Sequence, residues 1–354
     1  MVAHSIGALP RPAALGYRRG MHIRTLGRTG LRVSEICLGA MTFGMPEWGC
    51  DEAESLRLID HFLEAGGNFI DTADAYSGTV SEEICGKAMA SRRTQIVLAT
   101  KVTMPVGSGP NDRGASRKHI RESCDASLRR LRTDYIDLYQ IHAEDLWTPL
   151  EETLAALDDL VHAGKVLYTG ASNFRAYRLM KALALSDRHG WARFASLQPQ
   201  YNLLVRSIER EHFALATEEG VGLITWSPLA AGMLTGKITR ERKPPESRLA
   251  QRDMPLYKFY FNERAFGIVD VLVAAAREVG CTPAQLALAW QLAKSEITSV
   301  IIGARNQSQL EDNLGATRVT IPPDVMVKLE TATRIEPEYP GVFIDFIQAW
   351  LRNR

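Results

Sequence analysis

Short apolar segments alternate with longer segments of helical periodicity from residue 22 onward. Eight short segments predict β-strands: Ile36–Leu38, Asn68–Ile70, Ile96–Ala99, Tyr135–Ile141, Val166–Thr169, Ala195–Pro199, Gly222–Thr225 and Ser299–Ile302. Most of them lack polar alternation, which indicates burial on both faces and therefore a parallel sheet. Eight strand–helix units in one chain predict a closed α/β barrel, the (β/α)8 or TIM barrel.

The helical segments and the N-terminal segment agree with this fold. Helical periodicity covers, among others, residues 51–66, 116–131, 149–164 and 210–220. Three of these segments end in a glycine, as a left-handed helix cap favours: Gly66, Gly164 and Gly220. Before the first barrel strand, the segment HIRTLGRTGLRVS predicts a β-hairpin with Gly27 and Gly30 around its turn.

The alternative fold is an open, doubly wound sheet with a second domain. That fold usually carries GxGxxG after its first strand, whereas this chain has LGAMTFG there. GSGPNDRG at 107–114 contains a proline and opens no helix directly, and GMLTGK at 232–237 has its glycines one residue too close for a P-loop. The closed barrel therefore remains the preferred interpretation.

Two long irregular segments, 102–115 and about 237–262, follow the third and seventh predicted strands. Loops that follow barrel strands lie at the C-terminal face, where active sites form. Both segments are therefore candidate lids.

Composition and charge exclude several classes of function. The 354 residues are 45% hydrophobic and 23% charged, and 42 basic against 41 acidic residues give a net charge of +1. Such a balance argues against a nucleic-acid binder and a membrane-surface protein. No apolar stretch approaches the ~18 residues of a membrane span. Five widely spaced cysteines without CxxC, and histidines without HExxH, predict reduced thiols in the cytoplasm and no metal site.

The first twenty residues form a separate region. Pro10 and Pro12 interrupt it and it lacks an apolar core, which argues against a secretory signal. A transit peptide is the alternative, because the first acidic residue is Glu35. We expect residues 1–20 to be a disordered tail and residues 21–354 to form one barrel domain.

Four titratable residues stand at or just after the ends of successive predicted strands: Asp71, Tyr76, Lys101 and His142. Each alone has an ordinary structural explanation, such as a turn cap or a satisfied core histidine. In a parallel barrel, however, the strand ends meet around one mouth, which would bring the four together. A carboxylate, a phenol, an ammonium and an imidazole in one place favour a functional site.

This set of groups suits proton donation to a carbonyl oxygen. A free tyrosine has a pKa of about 10, and a neighbouring ammonium lowers it. Asp71 would hold Lys101 charged, and His142 would donate a hydrogen bond to the substrate oxygen. No Ser-His or Cys-His nucleophile and no GxSxG occur. The missing partner is a hydride donor, which the protein must bind as a cofactor.

These residues resemble the aldo-keto reductase superfamily, in particular the branch with bacterial general oxidoreductases and potassium-channel β-subunits. The resemblance runs from about Met21 to at least Thr317. It is carried by motifs in the expected order: DTADAY, YIDLYQIH, GASNF, LQPQYN, WSPLAAGML and GARNQSQLEDN.

The resemblance implies an NADPH or NADP+ molecule extended across the barrel mouth. It implies that seven residues bind the cofactor at its nicotinamide end or next to the first strand: Gly39, Met41, Asp71, Ser172, Asn173, Gln198 and Trp226. It assigns the pyrophosphate to Ser227, Pro228, Leu229, Gly232, Leu234 and Lys237, with Arg248 as a lid residue. It assigns the adenosine end to Gly303, Arg305, Gln309, Asp312 and Asn313. A helix N-terminus and cations suit phosphates, and an indole face suits a nicotinamide.

The implied activity is reduction of a small-molecule aldehyde or ketone, or the reverse oxidation. Four residues on predicted loops are expected to line an apolar substrate pocket: Trp48, Met104, Trp147 and Tyr257. The sequence departs from many relatives at AEDLW after His142 and at Met41, so it does not identify the substrate. A slow-turnover, NADPH-binding redox-sensing subunit and a cofactor-free barrel hydrolase or isomerase are the alternatives. The C-terminal segment FIDFIQAWLRNR predicts a closing helix or an interaction surface.

Overall fold

An antiparallel hairpin closes one end of the molecule. Its strands are β1 (Ile23–Thr25) and β2 (Arg32–Ser34). Gly27, in the turn, has a φ of +54°, and a Cβ there would lie 2.5 Å from the carbonyl oxygen of Gly220, so only glycine suits this position. Leu26 and Val33 are completely buried against the side chains that fill the barrel interior. The predicted hairpin is confirmed, and it covers one end of the barrel.

Eight parallel strands form a closed barrel in the order β10-β3-β4-β5-β6-β7-β8-β9. They are β3 (Ile36–Gly39), β4 (Phe69–Asp71), β5 (Val97–Val102), β6 (Ile136–Ile141), β7 (Val166–Ser172), β8 (Phe194–Gln198), β9 (Gly222–Thr225) and β10 (Ile297–Ile302). The predicted (β/α)8 barrel is confirmed. Nearly every strand residue is buried, which explains why the strands lack polar alternation.

Strands β5 and β7 extend three residues beyond the predicted ends at Ala99 and Thr169. The extra residues are partly polar, and parallel pairing holds them in the sheet: Lys101 lies opposite Gln140, and Ser172 opposite Gln198. Polar side chains therefore stand at the C-terminal ends of these strands, at the barrel mouth.

Helices surround the barrel. They are α1 (Glu52–Glu64), α2 (Val80–Met89), α3 (Arg117–Leu131), α4 (Leu150–His162), α5 (Ala176–His189), α6 (His212–Glu219), α7 (Glu263–Val279), α8 (Pro283–Leu292), α9 (Gln307–Gly315), α10 (Pro323–Ala332) and α11 (Gly341–Arg352). The predicted left-handed glycines are confirmed, with φ of 92° at Gly66, 69° at Gly164 and 67° at Gly220. Asp51, Ser116 and Asn306 cap the N-termini of α1, α3 and α9 through their side chains.

The computed structural model describes residues 21–45, 47–244, 249 and 260–352. The predictions for the tail 1–20, for Arg248 and for Tyr257 lie outside the described residues, as does most of the second candidate lid. Within the described ranges, no helix is long and apolar enough to cross a membrane. Helix α11 has no buried residue and exposes Phe343, Phe346 and Trp350. It does not close the barrel, and its use as an interaction surface stays a prediction.

Candidate active site

A buried ion pair lies at the centre of the barrel mouth. Lys101, with no exposed surface, donates hydrogen bonds from Nζ to Asp71 Oδ2 at 2.5 Å and to the Thr72 carbonyl at 2.8 Å. It donates a third to the Tyr76 hydroxyl at 3.3 Å. Burial lowers the pKa of this lysine, but Asp71 and Tyr76 outweigh that effect and raise the pKa above its ordinary value. The ammonium is therefore charged at neutral pH and donates to the phenolic oxygen.

Two glutamines hold the other oxygen of the carboxylate. Gln198 and Gln140 donate from Nε2 to Asp71 Oδ1 at 2.8 and 3.2 Å, and Gln198 also approaches Gln140 Oε1 at 3.3 Å. Both glutamines are buried. Asp71 is thereby fixed on both oxygens, which orients the lysine in turn. Sequence reasoning missed Gln140, although a glutamine inside the buried strand YIDLYQIH was the signal that could have found it.

His142 lies beside Tyr76, and the two rings meet edge to face with centroids 5.6 Å apart. Burial and the nearby Lys101 lower the pKa of His142 to about 3. The imidazole is therefore neutral at physiological pH, and it can donate a hydrogen bond but cannot serve as the acid. Within the described residues its Nδ1 is buried and has no hydrogen-bond partner.

A second carboxyl group, Asp74, lies in the segment between Asp71 and Tyr76. It is completely buried, and neither carboxyl oxygen has a side-chain or backbone hydrogen-bond partner through the part of the chain that the structure describes. Burial, and next the Glu82 carboxylate, raise its pKa to about 8, against the opposing effect of Arg130. Glu82 itself accepts from Thr100 Oγ1 at 2.6 Å and Arg130 Nε at 2.7 Å. Asp74 is therefore protonated at neutral pH. Sequence reasoning did not single it out.

The residues predicted for the nicotinamide form one hydrogen-bonded chain across β7, β8 and β9. Ser172 Oγ donates to the Gln198 carbonyl at 2.9 Å, and Asn173 Nδ2 donates to the His142 carbonyl at 2.9 Å. Trp226 Nε1 donates to Asn173 Oδ1 at 3.0 Å. Asn173 has a φ of +57°, a left-handed conformation that asparagine tolerates. The half-buried indole is thus locked in orientation at the rim.

The turn after β9 has an unusual backbone. Ser227, Ala230, Ala231 and Gly232 all have positive φ, between 49° and 96°. Asn202 Nδ2 donates to the Ser227 carbonyl at 2.9 Å, and Gln291 Nε2 donates to the Pro228 carbonyl at 3.2 Å. A backbone of this kind can form an anion-binding concavity, although the N–H groups of Ala230 and Gly232 already donate to the carbonyls of Ser227 and Leu229 at 3.0 and 2.9 Å. Of the other predicted residues, Lys237 is exposed, whereas Leu234 is completely buried and contributes packing to this turn.

The predicted adenosine residues lie at the end of β10 and on α9. Gly303 is exposed, and its carbonyl accepts from Asn313 Nδ2 at 3.2 Å. Gln309 Oε1 accepts from the Arg305 backbone at 3.1 Å, which places Arg305 immediately before the N-terminus of α9. Asp312 accepts from Thr282 Oγ1 at 3.0 Å and so ties α9 to α8.

The predicted substrate residues have very different environments. Trp48 is only 7% exposed, Met104 is 42% exposed and Trp147 is 96% exposed. Gly39 ends β3, where a Cβ would lie 2.7 Å from Ile301 Cγ2, and Met41 follows it in a short 3-10 turn. Among the described residues, no group of three or more His, Cys, Asp and Glu side chains is arranged to hold a metal ion.

Comparison with known proteins agrees with this geometry. Residues 35–334 match the model of the aldo/keto reductase family. The chain belongs to the aldo/keto reductase family. Members of this family are oxidoreductases that generally use nicotinamide cofactors, so carbonyl reduction is the activity that membership supports.

Three relatives show the breadth of the family around this aldo/keto reductase. A probable voltage-gated potassium channel β-subunit of Arabidopsis thaliana is 38% identical over 331 residues, which cover 90% of this chain and 99% of that protein. An uncharacterized oxidoreductase of Bacillus subtilis is 38% identical over 317 residues, 86% and 94% of the two chains. A versiconal hemiacetal acetate reductase of Aspergillus parasiticus is 35% identical over 351 residues, 91% and 99%.

Proposed function

We propose that this protein reduces an aldehyde or ketone to the alcohol with NADPH, and that Tyr76 is the proton donor. One observation carries the proposal: the Lys101 ammonium contacts the Tyr76 hydroxyl at 3.3 Å while Asp71 holds the lysine in place. The neighbouring His142 is neutral, which leaves the phenol as the proton source. The reverse oxidation would use the same groups.

The described residues fit a nicotinamide dinucleotide. The oriented indole of Trp226 would offer a face to the nicotinamide ring, and the polar groups of Ser172 and Asn173 lie beside that indole. The positive-φ turn at 227–232 and Lys237 would hold the pyrophosphate. Arg305 and the N-terminus of α9 would hold the adenosine phosphate. When bound, the dinucleotide supplies the hydride.

In the proposed reaction, the carbonyl oxygen lies between Tyr76 and His142. His142 donates a hydrogen bond as negative charge develops on that oxygen. Tyr76 transfers its proton to the oxygen, and Lys101 stabilises the resulting phenolate because its Nζ contacts the same atom. Asp71 keeps the ammonium charged and in position, and solvent returns a proton to Tyr76.

The second candidate is a slow-turnover, NADPH-binding redox-sensing subunit, supported by similarity to the plant channel β-subunits. NADPH oxidation with a panel of aldehydes and ketones separates the two. Turnover of many equivalents per minute on a reactive aldehyde supports the enzyme, whereas tight NADPH binding with about one slow turnover supports the subunit. A protein that binds no NADPH would contradict both and favour a cofactor-free barrel enzyme.

The five free thiols are consistent with the proposed cytoplasmic location.

Arg305→Ala is expected to weaken NADPH binding by roughly tenfold to a hundredfold and to change NADH binding little. The reason is that charge-assisted hydrogen bonds contribute roughly 1.5–3 kcal/mol, and only NADPH carries the 2′-phosphate. Titration of both cofactors by tryptophan fluorescence quenching measures the effect. Arg318→Ala, an exposed arginine just beyond α9, is the matched control. An equal loss for both cofactors would place Arg305 at the pyrophosphate, and no loss would remove it from the site.

A further inference from the structure

An open cavity of about 280 Å³ lies on the outer surface of the barrel, where α2 and α3 meet. Four side chains line it: Glu83 of α2, and Arg129, Arg130 and Arg132 at the end of α3. Three guanidinium groups therefore share one small surface with a single carboxylate. None of the four residues belongs to the candidate active site, so the cavity is a separate feature of the molecule.

Close packing of the two helices fixes the centre of this surface. A Cβ on Gly86 of α2 would lie 2.4 Å from the Arg130 carbonyl oxygen, so only glycine permits this approach. The Arg130 side chain is held as well, because it donates from Nε to Glu82 Oε2 at 2.7 Å and from Nη2 to Ser127 Oγ at 3.2 Å. Glu82 is completely buried. The Arg130 guanidinium therefore has a defined position at the cavity.

Arg132 occupies a position that glycine fills at the end of three other helices. It is the C-cap of α3 and has a φ of +53°, and α5, α6 and α7 end in the same left-handed conformation at Gly190, Gly220 and Gly280. A Cβ makes this conformation costlier than it is for glycine. The backbone alone would therefore favour glycine at 132, and the chain instead places a guanidinium group there.

Two of the three guanidinium groups are available to a ligand. Over the ranges that the structure describes, the side chains of Arg129 and Arg132 form no hydrogen bond and no ion pair, and both residues are exposed. Glu82 neutralises Arg130 and Glu83 offsets one more charge, so a positive charge remains in excess. The C-terminus of a helix favours cations, which explains basic residues at the end of α3 but not their convergence on one cavity.

We propose that this cavity binds a phosphate group, carried by inorganic phosphate or by a small phosphorylated molecule, through Arg129, Arg130 and Arg132. Guanidinium groups suit this ligand because their planar N–H groups donate in pairs to phosphate oxygens. The site lies outside the residues assigned to the dinucleotide, and the inference does not depend on the proposed carbonyl reduction.

Isothermal titration calorimetry on the full-length protein tests this site with two probes, inorganic phosphate and glycerol 3-phosphate. Chloride keeps the ionic strength constant, because exposed charges are screened by salt. Titrations with and without NADP+ separate this cavity from the barrel mouth, where the phosphates of a dinucleotide would compete. We expect one saturable site that NADP+ leaves in place. Tighter binding of glycerol 3-phosphate would indicate a phosphorylated molecule as the ligand, and equal binding would indicate recognition of the phosphate alone.

Arg132→Gly is the sharpest variant, because glycine suits the backbone at this position and the melting temperature should stay the same or rise. It should weaken phosphate binding at least about fivefold, as expected for one charge-assisted contact at an exposed site. Arg129→Gln should have a similar effect, and Glu83→Gln should strengthen binding because it removes the carboxylate from the cavity. Arg130 is left unchanged, since it also holds the buried Glu82.

Arg121→Gln is the matched control, since this arginine is exposed on the same helix and does not line the cavity. It should change phosphate binding by less than about twofold. An Arg121→Gln loss as large as that of Arg132→Gly would show a general effect of charge and overturn the site. Unchanged binding in Arg132→Gly, or no saturable binding of either probe below about 10 mM, would also overturn it. Each of these results would leave the proposed carbonyl reduction intact.

Discussion

Replacing Tyr76 by phenylalanine is expected to lower kcat/KM for aldehyde reduction by about 10²–10⁴-fold, the usual contribution of general acid catalysis. The change removes only the hydroxyl oxygen that Lys101 contacts at 3.3 Å. The ring that packs against His142 stays in place. NADPH affinity should remain within about twofold, because the hydroxyl lies on the substrate side of the proposed site. Steady-state kinetics and fluorescence titration measure the two quantities.

Tyr177→Phe is the matched control, since this tyrosine is 59% exposed on α5 and lies outside the cluster. It should leave kcat/KM unchanged. Full activity of Tyr76→Phe would exclude the tyrosine as proton donor. A loss of NADPH binding as large as the loss of activity would instead indicate that the ring supports the cofactor.

The cluster of four titratable residues at the barrel mouth was predictable because strand ends in a parallel barrel converge. The sequence places four polar residues at or just after apolar runs, and the structure brings all four together: Asp71, Tyr76, Lys101 and His142. The barrel itself followed from the number of buried runs. Both inferences depend on local pattern and topology, which a single sequence contains.

Other features depend on contacts between distant segments. Gln140 escaped notice because a polar residue inside a strand has no local signature of its partner, which is Asp71, 69 positions away. The cavity between α2 and α3 escaped notice because Glu83 and the three arginines belong to two helices that are separate in the sequence. The predicted end of strand β5 was too early because Thr100 and Lys101 are polar. Parallel pairing with β6 nevertheless keeps both residues in the strand. In each case the feature depends on a contact between segments that are distant in the sequence, so the local pattern could not reveal it.

Asp74 gives the second large expected effect, on stability as a function of pH. In the unfolded chain an aspartate has a pKa of about 3.9. In the folded protein burial and Glu82 raise the pKa of Asp74 to about 8. Well below pH 4 both the folded and the unfolded state hold the proton, so Asp74 does not make the free energy of unfolding depend on pH. Between pH 4 and 8 only the folded state holds it, so the free energy of unfolding falls by up to about 1.4 kcal/mol per pH unit.

Asp74→Asn replaces the neutral carboxyl group with a neutral amide of similar shape that cannot ionise. The stability difference between variant and wild type should therefore shift in favour of the variant as the pH rises from 5 to 8, by up to about 1.4 kcal/mol per pH unit. Urea unfolding of both proteins at half-unit steps between pH 5 and 8 measures this difference. Asp324→Asn, whose carboxylate is exposed on α10, should show a difference that does not vary over the same range. If the Asp74→Asn difference were constant or shrank as the pH rises, Asp74 would be ionised in the folded protein, and the buried cluster beside Tyr76 would carry one more negative charge than we infer.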